Sequence, residues 1–234
     1  SLYKSEIITQ AVPEITMVGI QNPFTSVPID GRIAYLTAGN AWVMDTSTGN
    51  RKPVVMTGDL DGRIFELSPD GRLLLYSRKL EEGDDINSLY VVNVESDKPQ
   101  SINLKVRNVI HHAAWIPGRA PRISFSTVEP RETAPGWQAN NDLYILPLTD
   151  IGAPLEPKNL VETNSGGIYG WWGTEYTWSP DGDQLWFSRP DGIGLVDLES
   201  GELAPVITIQ PYDTKAQWAW VPPTAWDPSS DRLY

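Results

Sequence analysis

The sequence predicts an all-β fold, a β-propeller of four-stranded antiparallel blades, on three observations. A turn of the form Ser-Pro-Asp-Gly ahead of a hydrophobic strand recurs along the chain, as in Ser68-Pro69-Asp70-Gly71 before Leu73-Leu74-Leu75-Tyr76. A second strand type ending in a polar turn follows at matching distance, as in Leu89-Tyr90-Val91-Val92-Asn93-Val94. No stretch carries the periodicity of an amphipathic helix, whereas short apolar runs bounded by Gly, Pro, Asp and Ser are frequent.

The turn chemistry explains why each unit opens as it does. Pro fixes φ near the value an early turn position needs, Asp bonds the backbone ahead of it, and Gly accepts positive φ. The turn prolines 69, 117, 180 and 228 lie about 48, 63 and 48 residues apart, the spacing of multi-strand propeller repeats.

In chain order, residues 1–20 carry Ile7, Ile8, Val12, Ile15 and Val18 without a clear turn, and are expected either to supply a ring-closing strand or to form a loose leader. The propeller itself is expected over residues 21–234. Blade one, over residues 20–57, has the degenerate turn Ile29-Asp30-Gly31 and the strand Ala41-Trp42-Val43-Met44-Asp45. Blade two occupies residues 63–106. Blade three, residues 109–161, opens on Trp115-Ile116-Pro117-Gly118 and contains Leu143-Tyr144-Ile145-Leu146-Pro147-Leu148. Blade four, residues 170–209, repeats the motif as Trp178-Ser179-Pro180-Asp181-Gly182 and closes on Gly194-Leu195-Val196-Asp197-Leu198. A fifth repeat is expected to start near Ala216, to reach Trp226-Asp227-Pro228-Ser229, and to stop where its second strand would begin. Because a repeat unit buries its faces only against neighbours, missing C-terminal blades or a second chain are expected to complete the ring.

Composition narrows the function classes. A hydrophobic share of 40% supports a sizeable core, and a net charge of −12 argues against a nucleic-acid partner, which needs a basic face. No apolar run approaches bilayer-spanning length, so no membrane insertion is expected. The absence of cysteine removes disulfides, thiol catalysis and thiolate metal sites.

At the Ser-Pro-Asp-Gly turns and the Leu-Tyr-Val-Val-type strands the chain resembles the TolB-like, WD-repeat-like β-propeller family. Ser68 to Val94 and Trp178 to Gly201 match it well, residues 109–148 match loosely with Gly118 directly after Pro117, and residues 30–49 lack the Ser-Pro portion. The resemblance implies a ring of six or seven blades. It also implies a role among periplasmic interaction proteins, gating domains of serine peptidases, or polysaccharide-degrading enzymes, with an extracytoplasmic location.

In such blades the Ser-Pro-Asp-Gly turns join strands a and b on one face, so the b–c loops and the blade-to-blade connections emerge on the other, where binding residues concentrate. The longest b–c loop, residues 129–141, holds Arg131 and Trp137. The connection before blade four holds Tyr169, Trp171 and Trp172 between glycines, and Trp218 precedes the fifth repeat. These six residues form the candidate ligand-binding set, because flat amphipathic rings supply contact area at low entropy cost. Trp in strand-like context more often packs between blades, and Trp115, Trp178 and Trp186 are expected in the core.

Other chemistry finds little support. His111 and His112, the only histidines, point to opposite sides of a strand and cannot together chelate one metal. The Glu81, Glu82, Asp84, Asp85 cluster lacks the alternating spacing of a calcium loop and reads as a solvated acidic loop. There is no Gly-x-Ser-x-Gly elbow and no phosphate-cradling or dinucleotide motif. The expectation is a non-catalytic binding module, without cofactor or metal, that recognises a protein, peptide or glycan with its loop face. The alternative is the propeller domain of a larger enzyme, a serine peptidase gate or a polysaccharide lyase, with its catalytic residues outside this chain.

Overall fold

A computed structural model describes residues 31–80, 85–163, 173–210, 220–229 and 232–234. All regular structure among them is β. Blade one contributes β1 (Arg32–Thr37), β2 (Asn40–Asp45) and β3 (Arg51–Val55), paired in that order. Blade two is the four-stranded sheet β4 (Leu60–Leu67), β5 (Leu73–Lys79), β6 (Asn87–Asn93) and β7 (Ser101–Arg107). Blade three is β8 (Ala113–Trp115), β9 (Arg122–Phe125), β12 (Leu143–Pro147) and β13 (Lys158–Val161), with a hairpin of β10 (Val128–Pro130) and β11 (Trp137–Ala139) inserted between its second and third strands. Blade four is β14 (Glu175–Trp178), β15 (Leu185–Arg189), β16 (Gly192–Val196) and β17 (Leu203–Thr208). Every strand pair is antiparallel. The architecture is the expected propeller type, and no closed ring forms among the described residues. Residues 1–20 and the first part of blade one lie outside the described residues.

The Ser-Pro-Asp-Gly turns depend on the serine hydroxyl as well as on the backbone preferences of Pro, Asp and Gly. Ser68 Oγ accepts the Leu73 amide at 2.9 Å and donates to Asp70, while the Gly71 amide donates to the Ser68 carbonyl at 2.8 Å. Ser179 repeats the arrangement, with the Gln184 amide at 2.9 Å and the Gly182 amide at 2.8 Å. The serine hydroxyl thus closes the turn at the start of strand b and satisfies an amide that burial would otherwise strand. Gly182 sits at φ 77°, and a Cβ there would run into the Pro117 carbonyl of blade three. The glycine therefore serves both the turn and the close approach of neighbouring blades.

Blades pack face against face through three apolar clusters. Val43, Val55, Leu74, Tyr76 and Val92 join blades one and two; Leu75, Val91, Trp115, Ile123 and Leu146 join two and three; Leu143, Val161, Trp178, Leu185 and Phe187 join three and four. Period-two alternation sends successive residues of β5 to the two sides, so Leu74 and Leu75 serve different interfaces although both are fully buried. Each such large side chain contributes about 1.5–3 kcal/mol on burial. The first strands of blades two and three also meet, and Trp115 Nε1 of β8 donates to the Glu66 carbonyl of β4 at 3.1 Å.

Trp115 and Trp178 lie in the core, as expected. Trp186 does not: it is half-buried on the side of blade four that faces away from blade three, edge-on to Trp226 with ring centroids 6.2 Å apart. Its strand neighbours Leu185 and Phe187 take the face that meets blade three, and alternation leaves Trp186 opposite them. The start of the fifth repeat lies against that side. Ala225 and Tyr234 exchange backbone bonds across the Asp227-Pro228 turn, Ser188 Oγ donates to the Pro222 carbonyl at 2.6 Å, and Thr177 and Thr224 hydroxyls meet at 3.2 Å.

Candidate functional site

The connections opposite the Ser-Pro-Asp-Gly turns are knit into one surface by hydrogen bonds that cross between blades. Asn108, between β7 and β8, donates its amide to the Asn87 carbonyl and accepts the Val128 amide of the blade-three hairpin at 2.8 Å. Its side chain also accepts the Ile86 amide at 2.8 Å and donates to Asp85 at 2.8 Å. Thr174, ahead of blade four, donates to Asn141 at 3.1 Å. Loops tied down in this way present side chains from a rigid base.

Of the six candidate ligand-binding residues, Trp137 and Arg131 lie within the described residues; Tyr169, Trp171, Trp172 and Trp218 lie outside them. The long loop of blade three is ordered as the β10–β11 hairpin rather than as irregular chain, and Trp137 opens its second strand opposite Pro130. The ring is half-buried. His111 meets it edge-on with centroids 4.5 Å apart and planes at 73°, an arrangement in which the positive rim of one ring faces the electron-rich face of the other. Arg131 is exposed two residues from Glu129, with which it pairs at 3.2 Å.

The two histidines part as strand geometry requires. His112 is buried, bonds Ser124 Oγ at 2.8 Å, and stands edge-on to Tyr176. Trp178 Nε1 donates to the same Ser124 oxygen at 2.8 Å, so one buried hydroxyl ties blade three to blade four. Burial with no compensating charge pulls the His112 pKa down to about 4 and keeps the imidazole neutral. His111 points to the loop face; desolvation, and secondarily the nearby Arg63 cation, pull its pKa below the ordinary value.

Several carboxylates on this face are engaged internally. Asp59 forms a fork with Arg78 at 2.6 Å, Asp61 accepts from Ser77, Asn87 and the Arg63 amide, Asp85 pairs with Arg107, and Asp142 accepts from Ser126 and Thr127. Glu81, Glu82 and Asp84 fall outside the described residues. No group of three His, Asp or Glu is placed to hold a metal ion among the described residues. Ser124, the one serine bonded to a histidine among those residues, is fully buried and therefore has no access to a substrate.

This fold and surface define a β-propeller module. No protein-family model matches the chain, and no curated protein matches it. Among solved structures it is similar to a puromycin hydrolase, with a TM-score of 0.54 and 12% identity, over 86% of this chain and 36% of that one. It is also similar to prolyl endopeptidases analysed for inter-domain dynamics, with a TM-score of 0.51 and 14% identity, over 80% of this chain and 30% of that one. The chain thus spans about a third of the length of these structures, and at such identities the likeness is one of fold.

Proposed function

We propose that this chain is a TolB-like propeller acting as a non-catalytic binding module, which recognises a protein or peptide with the face that carries the β10–β11 hairpin. The observation that supports the reading is Trp137: a half-buried indole held on a hairpin that is bonded to the neighbouring blade, with an imidazole at its edge. Aromatic anchors fixed in advance bind at low entropy cost and dominate interface energetics. Tyr169, Trp171, Trp172 and Trp218 belong to the same proposed surface by their place in the repeat. Residues 21–234 form the propeller unit in this reading, and an extracytoplasmic location goes with the TolB-like resemblance.

The test is Trp137→Ala, read by binding to peptide and glycan arrays and by thermal melting. Affinity for the peptide the array selects is expected to fall by about 2 kcal/mol, roughly thirtyfold, with the melting transition nearly unchanged. An equal loss of stability would assign the ring to the core instead.

A second reading takes the chain as the propeller portion of a larger hydrolase. It is favoured by the similarity to the puromycin hydrolase and the prolyl endopeptidases. A Gly-x-Ser-x-Gly elbow with Asp and His elsewhere in the full reading frame would support it, and a frame without one would remove it.

A further inference from the structure

We propose that the cleft between blades two and three, on the side of the Ser-Pro-Asp-Gly turns, binds a small monocarboxylate with an apolar body, the anion being met by Arg119 and the backbone amides of the blade-three turn. The site lies at the end of the fold opposite Trp137 and stands independently of the loop-face reading.

The cleft has a volume of about 280 Å³ and forms where the blade-two turn and the blade-three turn run side by side. Buried Leu73, Trp115 and Ile116 give it an apolar lining, Pro69 and Pro121 flank it from the two blades, and exposed Arg119 borders it. Pockets for drug-sized ligands run to ~300–1,000 Å³, so a cleft of this size suits a small molecule.

The blade-three turn departs from its neighbours in the feature that sets charge. In blades two and four the third turn residue is Asp70 or Asp181, and its carboxylate is consumed within the turn. Asp70 accepts from Ser68 Oγ and from the amide and Nε of Arg72, and Asp181 accepts from Ser179 Oγ and the Asp183 amide. Blade three has Gly118 in that place, within Pro117-Gly118-Arg119-Ala120-Pro121. The amides of Gly118, Arg119 and Ala120 have no acceptor among the described residues. Arg122 Nη2 lies 3.8 Å from the position a Gly118 Cβ would take, so a second guanidinium gathers at the same turn. Because Ile123 faces blade two, Arg122 leaves β9 on the other side and stands behind the turn rather than in the cleft.

Neither guanidinium has an ion pair or hydrogen bond among the described residues, which is notable in a chain of net charge −12. Asp150 and Asp183, exposed at the same end of the fold, pair with neither of them, and Glu66 accepts the Trp115 amide at 3.3 Å. The cleft between blades one and two is the contrast. Its Arg32 is already spent on the Gly71 carbonyl at 3.1 Å and on Glu95 at 2.8 Å, and Asp45 and Asp70 line it.

A guanidinium beside unpaired backbone N–H groups matches the oxygens of a carboxylate. Asp70 also borders the blade-two to blade-three cleft and stays ionised, so a head group with one negative charge is repelled less than a phosphate. The apolar lining rewards burial of a hydrocarbon body.

The experiment uses the whole chain, with 4-methylpentanoate and phenylacetate as probes beside their primary amides and phenyl phosphate. Binding is followed by the Gly118 and Arg119 amide resonances in a nitrogen-15 spectrum and by calorimetry. The two acids are expected to shift both resonances and to bind at least tenfold more tightly than their amides. Arg119→Gln should abolish that difference with thermal melting unchanged, and Arg122→Gln should reduce it about threefold. Acids and amides that bind alike, a preference that survives in Arg119→Gln, or no shift at the turn with any probe would each overturn the site. Phenyl phosphate binding more tightly than either acid would overturn the monocarboxylate assignment.

Discussion

The buried His112 makes the stability of this propeller depend on pH between about 6.5 and about 4, a window it shares with His111. In the folded chain its pKa lies at about 4, against about 6.5 in an unfolded chain. Above pH 6.5 both states are neutral and the folded state keeps its full stability. As pH falls below 6.5 the unfolded chain takes up a proton that the folded chain refuses, so stability declines until about pH 4, where the folded imidazole also protonates. A separation of that size corresponds to about 3 kcal/mol. The assay is urea unfolding at pH 7.5, 6.5, 5.5 and 4.5 on the native chain and on His112→Gln. Glutamine retains a donor and an acceptor for Ser124 and does not titrate. The stability difference between the two proteins should shift toward the variant by about 3 kcal/mol from pH 7.5 to 4.5, less the fraction still to come below pH 4.5. Subtracting the variant removes the contribution of His111. It also removes that of Glu66 and Glu175, whose pKa values burial raises, so that their folded forms gain on acidification. Asp45, held at about 2 chiefly by the Ser47 hydroxyl, titrates below the window. A difference that stays flat across the four pH values would refute the reasoning and place a charge or water next to His112.

Further perturbations test the turns and the blade contacts. Ser68→Ala removes the hydroxyl that accepts the Leu73 amide and should lower stability by about 1–2 kcal/mol in urea unfolding, because that amide is buried and left without a partner. Gly182→Ala combines positive φ with a Cβ directed into the Pro117 carbonyl, so a loss of about 2–3 kcal/mol is expected; Gly49→Ala, at similar φ but with open space around it, should lose about 1 kcal/mol. Trp178→Phe keeps most of the apolar contact but deletes the bond to Ser124, and should cost about 1–2 kcal/mol while leaving peptide binding unchanged.

The repeat was legible because its cause is local. Pro69, Asp70 and Gly71, like Pro180, Asp181 and Gly182, specify a turn from backbone sterics and short-range hydrogen bonds, and the alternation in Leu89–Val94 specifies a strand from the next few residues. The Ser68 and Ser179 hydroxyls were equally present in the motif, yet their closing bonds to residues five positions on emerge only when the strand pairs. Trp186 shows the limit from the other side. An indole between Leu185 and Phe187 looks like core, but which face of a blade meets a neighbour is decided by packing, and both tryptophan and leucine satisfy an alternating pattern.

The site divides the same way. Trp137 could be picked out in sequence as an aromatic in a long loop, but nothing in the chain told that the loop forms a hairpin, that His111 closes on the indole edge, or that Gly173 clears the imidazole. Those residues come from blades three and four and lie apart along the chain. The sequence by itself determined the all-β repeat architecture, its turns and its candidate loop face, because these follow from conformational preferences within a few residues. Only the tertiary structure decided which His is buried and which carboxylates are engaged by neighbours, because burial and charge compensation are properties of surfaces brought together by packing.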